Sequence, residues 1–118
     1  MPIDEQITLS FPARPEFLRL ARLTTADVAS RAGFDFEQID DLRIAVSELC
    51  SLIVGDADTS VTLTFAVDDT AVTVDGDARG AALAESELST TIIEAVLDEL
   101  DLVGAPDGVR FRGVKRRD

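Results

Sequence analysis

Few residues in this chain are equipped for chemistry. Across 118 residues there is no histidine, tryptophan or tyrosine and a single cysteine, Cys50. Imidazole is therefore excluded from any metal site or proton shuttle, and catalysis would have to rest on carboxylates, hydroxyls or arginine. The most pointed candidate is Glu48, in the stretch Leu42 to Ala57, because it stands on a helical pattern that otherwise reads as core. Its neighbour one turn on is Leu52. Read from the residues alone, Glu48 is either a general base or a partly solvated acid on the flank of a helix. Cys50 falls at the edge of the buried face with no base beside it, so it reads as a small core residue rather than a nucleophile. The spacing of Asp56, Asp58, Asp68 and Asp69 matches no calcium loop and reads as solvated turns.

The net charge of −12 opposes binding to phosphate backbones and anionic membrane surfaces. Arg110, Arg112, Lys115, Arg116 and Arg117 crowd the C-terminus, and they read as a solvated strand end whose charges discourage edge pairing. No apolar run approaches the roughly 20 residues that span a bilayer, and the first residues lack the pattern of a secretory signal. The expectation is a cytoplasmic protein, 1–118 forming a single domain, with no nucleic-acid or membrane partner.

The elements that must position these groups follow from periodicity. Gln6 to Phe11 alternate as a half-buried strand, which Pro12 and Pro15 stop. A helix then runs to about Ala32 with Phe17, Leu20, Ala21, Thr24 and Val28 on one face, and Gly33 ends it. Asp35 with Gln38 forms a capping box for a second helix, whose stripe Ile39, Leu42, Val46, Leu49 and Ile53 must face the core, and Gly55 closes it. Ser60 to Val67 and Ala71 to Val74 read as a hairpin about Asp68-Asp69-Thr70. Residues Gly76 to Glu85 read as a loop. A third helix capped by Ser86 carries Leu88, Ile92 and Ala95 or Val96, and a second hairpin, Leu100 to Val103 with Val109 to Val114, ends the chain. This order predicts an α+β fold: a two-layer sandwich of a mixed sheet of about five strands with three helices on one face.

The order of elements and three local patterns resemble the anti-sigma factor serine kinases of the GHKL superfamily, whose domain is the Bergerat-type, histidine kinase-like ATPase fold. The patterns are Phe11-Pro12-Ala13 between first strand and first helix, the run Asp40 to Val54, and the run Ile92 to Leu102. The resemblance covers nearly the whole chain. It implies that Glu48 matches the family's general base, while the magnesium-binding asparagine four residues later is replaced by Leu52. The family's Asp-x-Gly-x-Gly adenine turn falls near Asp75, Gly76, Asp77 and Gly80; Asp75 fits the aspartate or is a strand-ending turn former, and Asp77 and Arg79 stand where glycines belong. The Gly-rich phosphate lid has no glycine between Gly80 and Gly104, and Thr90 and Thr91 stand near its last positions. Glu85 and Glu87 place carboxylates where polyphosphate should dock.

Three functions follow as expectations. The first is an anti-sigma-like regulator acting by protein binding, with ATP binding lost or impaired and no kinase activity. The alternatives are an ATP-dependent protein-serine kinase of an anti-sigma switch, using ATP and Mg²⁺, and a structural or dimerisation module. Under the first reading no cofactor and no metal ligand is expected, Glu48 is a vestigial base, and Asp75, Gly76, Asp77, Gly80, Thr90 and Thr91 are a vestigial nucleotide pocket at whose mouth Glu48 sits. The partners implied are a sigma factor or an anti-anti-sigma, STAS-type protein, and the family's habit of dimerisation extends to this chain as an expected homodimer.

Overall fold

The computed structural model describes residues 5–117. A strand β1 (Glu5–Pro12) leads through a short 3₁₀ turn (Pro15–Phe17) into helix α1 (Leu18–Arg31), then α2 (Phe36–Ser51). There follow β2 (Ile53–Val54), β3 (Ser60–Val67), β4 (Ala71–Arg79), β5 (Ala82–Leu83), helix α3 (Glu87–Val96), β6 (Glu99–Ala105) and β7 (Gly108–Arg116). Five strands form one sheet in the order β1-β3-β4-β7-β6, and β2 pairs with β5 in a second, two-stranded sheet. The expected α+β sandwich is present.

The main sheet is antiparallel at every pairing rather than mixed. Two helices separate β1 from β3, so the chain returns to the end where β1 stopped, and Pro12 pairs with Ser60. A single helix separates β4 from β6, which makes those two strands run in the same direction. They are not neighbours, however: β7 lies between them and is antiparallel to both.

One face of each strand supplies the core. Val61, Leu63, Phe65 and Val67 of β3, Val72, Val74 and Ala78 of β4, and Val109 and Phe111 of β7 are buried at alternate positions. Against them pack Leu42, Ala45, Val46 and Leu49 of α2 and Ile93 of α3. Each such large side chain contributes roughly 1.5–3 kcal/mol by leaving water.

The capping box at the start of α2 is formed: the Asp35 side chain accepts from the Gln38 N–H at 2.8 Å, and Gln38 Oε1 accepts from the Asp35 N–H at 3.0 Å. Gly33 takes a left-handed φ of 85° just past α1, which is why a glycine stands there.

Four local expectations change. The buried face of α1 is Ala21, Thr25, Val28 and Ala29, turned by about one residue from the expected stripe, and Leu20 is exposed. Small side chains let α1 lie close against α2, and Thr25 satisfies its hydroxyl by donating to the Ala21 carbonyl at 2.7 Å. Helix α2 ends at Ser51, not at Gly55, because Ile53 and Val54 leave to pair with β5. Helix α3 buries Ile93 and leaves Leu88 exposed. The stretch from Gly76 is not a loop: β4 continues to Arg79, and Ala82–Leu83 forms β5.

The C-terminal cations are mostly held by partners. Arg110 pairs with Asp107, Arg112 with Asp75, Lys115 with Asp41 and Arg116 with Glu99. Arg117 donates to the carbonyls of Ala32 and Asp68, so this segment ties strands to helices rather than forming a free basic patch.

Candidate functional site: a cleft between α2 and α3

A cleft of about 640 Å³ opens between the end of α2, the β2–β5 ribbon, α3 and β6. Its floor is apolar and made of Leu52, Leu83, Leu100 and Leu102. The ribbon brings two of these together: Ile53 and Val54 pair with Leu83 and Ala82, and the Ala84 N–H donates to the Leu52 carbonyl at 2.7 Å. Gly104 gives the Leu83 side chain room, since a Cβ there would stand 2.9 Å from the Leu83 Cβ.

The rim is polar. Glu85, Ser86, Glu87, Thr90, Thr91 and Glu94 line it. Ser86 caps α3 through a 3.2 Å bond from the Ser89 N–H. Glu87, Thr90 or Thr91, and Glu94 recur at steps of three and four, so α3 presents them along one side. No lysine or arginine lines the cleft among the described residues.

The expected pocket residues are only partly brought together. Leu52, Thr90 and Thr91 share the cleft. Glu48 does not line it; it borders a separate groove with Arg22, Asp40, Arg43, Ile44 and Ser47, on the outer side of α1 and α2. Across that groove Arg22 donates to the Ser47 hydroxyl at 3.2 Å. Leu52, the C-cap of α2, is buried against the cleft, whereas Glu48 one turn earlier is half-buried on the flank that faces the other groove, so one-turn spacing does not put both into one cavity.

Asp75 lies on β4 between the inward Val74 and the buried Gly76, so it points to the open face of the sheet, away from the helices. There it receives Arg112 Nε at 2.7 Å and Nη2 at 3.2 Å, and this bond together with the opposite charge raises the guanidinium pKa further. It is neither a turn former nor a group facing the cleft. Asp77 is exposed on the same outer face. The inward positions of β4 read Val72, Val74, Gly76 and Ala78. An Asp-x-Gly-x-Gly turn whose aspartate faced the helices would therefore begin at position 76, where this chain has glycine, with Ala78 next and Gly80 last. Gly76 sits directly opposite Phe111 of β7, whose ring occupies the volume a side chain would need. Gly80 has φ 75° and turns the chain out of β4, its N–H donating to the Asp107 carbonyl at 2.9 Å.

Sequence reasoning missed Glu94, Leu83, Leu100 and Leu102 as cleft residues. For Glu94 a signal existed, because it follows Glu87 by two helical turns. The leucines gave none, since only the ribbon and the position of β6 bring them to the floor. Cys50 is buried with its thiol pushed up to about 12 by desolvation, consistent with a core residue.

This donor set fits poorly with the nucleotide and metal that such folds hold. A magnesium ion requires hard oxygen ligands, and at position 52 the chain offers an isobutyl group that is 4% exposed. A triphosphate would meet three carboxylates and no cation. Among the described residues no three acidic or thiol groups converge as a metal site.

An antiparallel five-stranded sheet, covered on one face by three helices with a cleft between the second and third, defines a two-layer α+β sandwich. The family model for the histidine kinase-like ATPase domain matches residues 11–108, and the chain belongs to that family. It is similar to the serine-protein kinase RsbW of Listeria monocytogenes serotype 4a, 54% identical over 46 residues, which is 39% of this chain and 29% of the relative. It is similar also to RsbW of Bacillus cereus, 46% identical over 50 residues, 42% of this chain and 31% of that protein. The matched stretches thus span under a third of these relatives. Among solved structures, the RsbU and RsbW domains of Rv1364c from Mycobacterium tuberculosis superpose with a TM-score of 0.74 at 19% identity, over 95% of this chain and 32% of that one, which shows the shared fold.

Proposed function

We propose that the chain is an anti-sigma-type regulator that acts by stoichiometric protein binding and has lost ATP binding and kinase activity. The observation that carries this reading is the cleft itself, where Leu52 stands in place of an oxygen ligand and three carboxylates stand in place of phosphate-binding groups. Phosphoryl transfer depends on positive charge and metal set around the transferring phosphate, and no lysine or arginine among the described residues lines this cleft. The core stripes, the capping box and the strand pairings are meanwhile intact, as a fold retained for its surfaces would be. The partner class, a sigma factor or an anti-anti-sigma STAS-type protein, is the one that the resemblance to anti-sigma factor serine kinases implies.

Those relatives are named serine-protein kinases, which favours a second reading, an ATP-dependent kinase of the same switch. Mixing the chain with the sigma factors and STAS-type proteins of its source organism, followed by size-exclusion chromatography, separates the two. A complex formed without nucleotide is expected. Assembly that requires Mg-ATP, or a phosphoserine appearing on the STAS-type protein, would establish the kinase instead.

A further inference from the structure

The cleft combines two features that together specify a ligand chemistry. Its floor is four leucines, able to take an apolar side chain. Its rim carries Glu85, Glu87 and Glu94 with no cation to neutralise them among the described residues. All three carboxylates are exposed, so they remain available to a cation arriving from solvent. The −12 charge of the whole chain adds long-range attraction for a basic partner. A volume of about 640 Å³ is large enough for several side chains.

We propose that this cleft docks a basic amphipathic segment of a partner protein, with an apolar side chain on Leu52, Leu83, Leu100 and Leu102 and lysines or arginines on Glu85, Glu87 and Glu94. The proposal rests on the reading that the chain works by protein binding, and it adds the place and the chemistry of that contact. The same carboxylates that repel a triphosphate become the recognition element. Docking is side-chain mediated: α3 supplies Glu87 and Glu94 two turns apart, which matches cations two turns apart on a helical segment.

The test uses a fluorescein-labelled helical peptide of leucine and lysine, with a leucine and glutamate peptide as its charge-reversed control, read by fluorescence anisotropy at low salt. The lysine peptide should bind and the glutamate peptide should not. Glu87→Gln with Glu94→Gln should weaken binding roughly tenfold, while Asp58→Asn with Asp69→Asn, which removes the same charge from exposed turns, should leave it within about twofold. Leu102→Ala should weaken it severalfold, with circular dichroism confirming that each variant is folded. Equal losses in the cleft and control pairs, a silent Leu102→Ala, spermidine binding as tightly as the peptide, or no peptide binding would each overturn the proposal. A sigma-factor complex that forms but ignores the glutamate changes sinks the docking site and leaves the regulator reading standing. Peptide binding without any such complex does the reverse.

Discussion

Gly76 and Phe111 face each other across β4 and β7, and the phenyl ring fills the space where a side chain at position 76 would project toward the helices. Because inward and outward positions alternate along a strand, position 76 is the one from which an acid could look into the helix-covered side of the sheet. In this chain that place is taken by core.

Installing an acid there should therefore fail structurally before it can restore chemistry. Gly76→Ala should cost about 1–3 kcal/mol by overpacking, and Gly76→Asp more, because it also buries a charge. Thermal unfolding checks this, and Phe111→Ala added to Gly76→Ala should cost less than the sum of the two single changes.

Leu52→Asn restores one oxygen ligand and nothing else. It should lower stability by about 2 kcal/mol, since Leu52 is buried on the cleft floor, and leave the melting temperature unmoved by Mg-ATP. A rise in melting temperature on adding Mg-ATP would show that a single position had disabled the site.

Asp75 lies on the sheet face away from the cleft, where it pairs with Arg112. Asp75→Ala should destabilise by less than about 1 kcal/mol, as exposed ion pairs do, and leave partner binding unchanged. Loss of binding in a folded Asp75→Ala protein would place the contact on the open face of the sheet.

Asp68 holds the turn between β3 and β4. It accepts from the Thr70 N–H, the Thr70 hydroxyl and the Ala71 N–H at 2.7, 2.8 and 2.9 Å. Those bonds, the Thr70 N–H first, hold its pKa below the ordinary 3.8. The native pKa being depressed, the stabilisation is full above the unfolded value and is lost as pH falls through the folded one. The gap in melting temperature between the wild-type chain and Asp68→Ala should be present near pH 7 and narrow as pH falls below the ordinary 3.8. A gap that persists in acid would mean the turn does not depend on the carboxylate.

The helices were legible because their signals are local: Asp35 and Gln38 three apart, Leu42, Val46 and Leu49 on one face, Gly33 past the end. The extension of β4 was not, since Gly76, Asp77 and Gly80 carry the composition of a turn, and what makes them a strand is β7 lying opposite. The same misreading put Asp75 in the pocket, whereas strand alternation turns it outward. Glu48 was correctly placed on its helix, but the groove it borders depends on where Arg22 of α1 comes to rest, a tertiary fact. The expected mixed sheet is antiparallel throughout because β7 lies between β4 and β6, an insertion beyond any local pattern.

The claim on which the rest depends is that the cleft no longer accepts nucleotide, and calorimetric titration with Mg-ATP addresses it most directly. The account predicts no binding heat up to about millimolar ATP, whereas a dissociation constant in the micromolar range, about −8 kcal/mol, would contradict it.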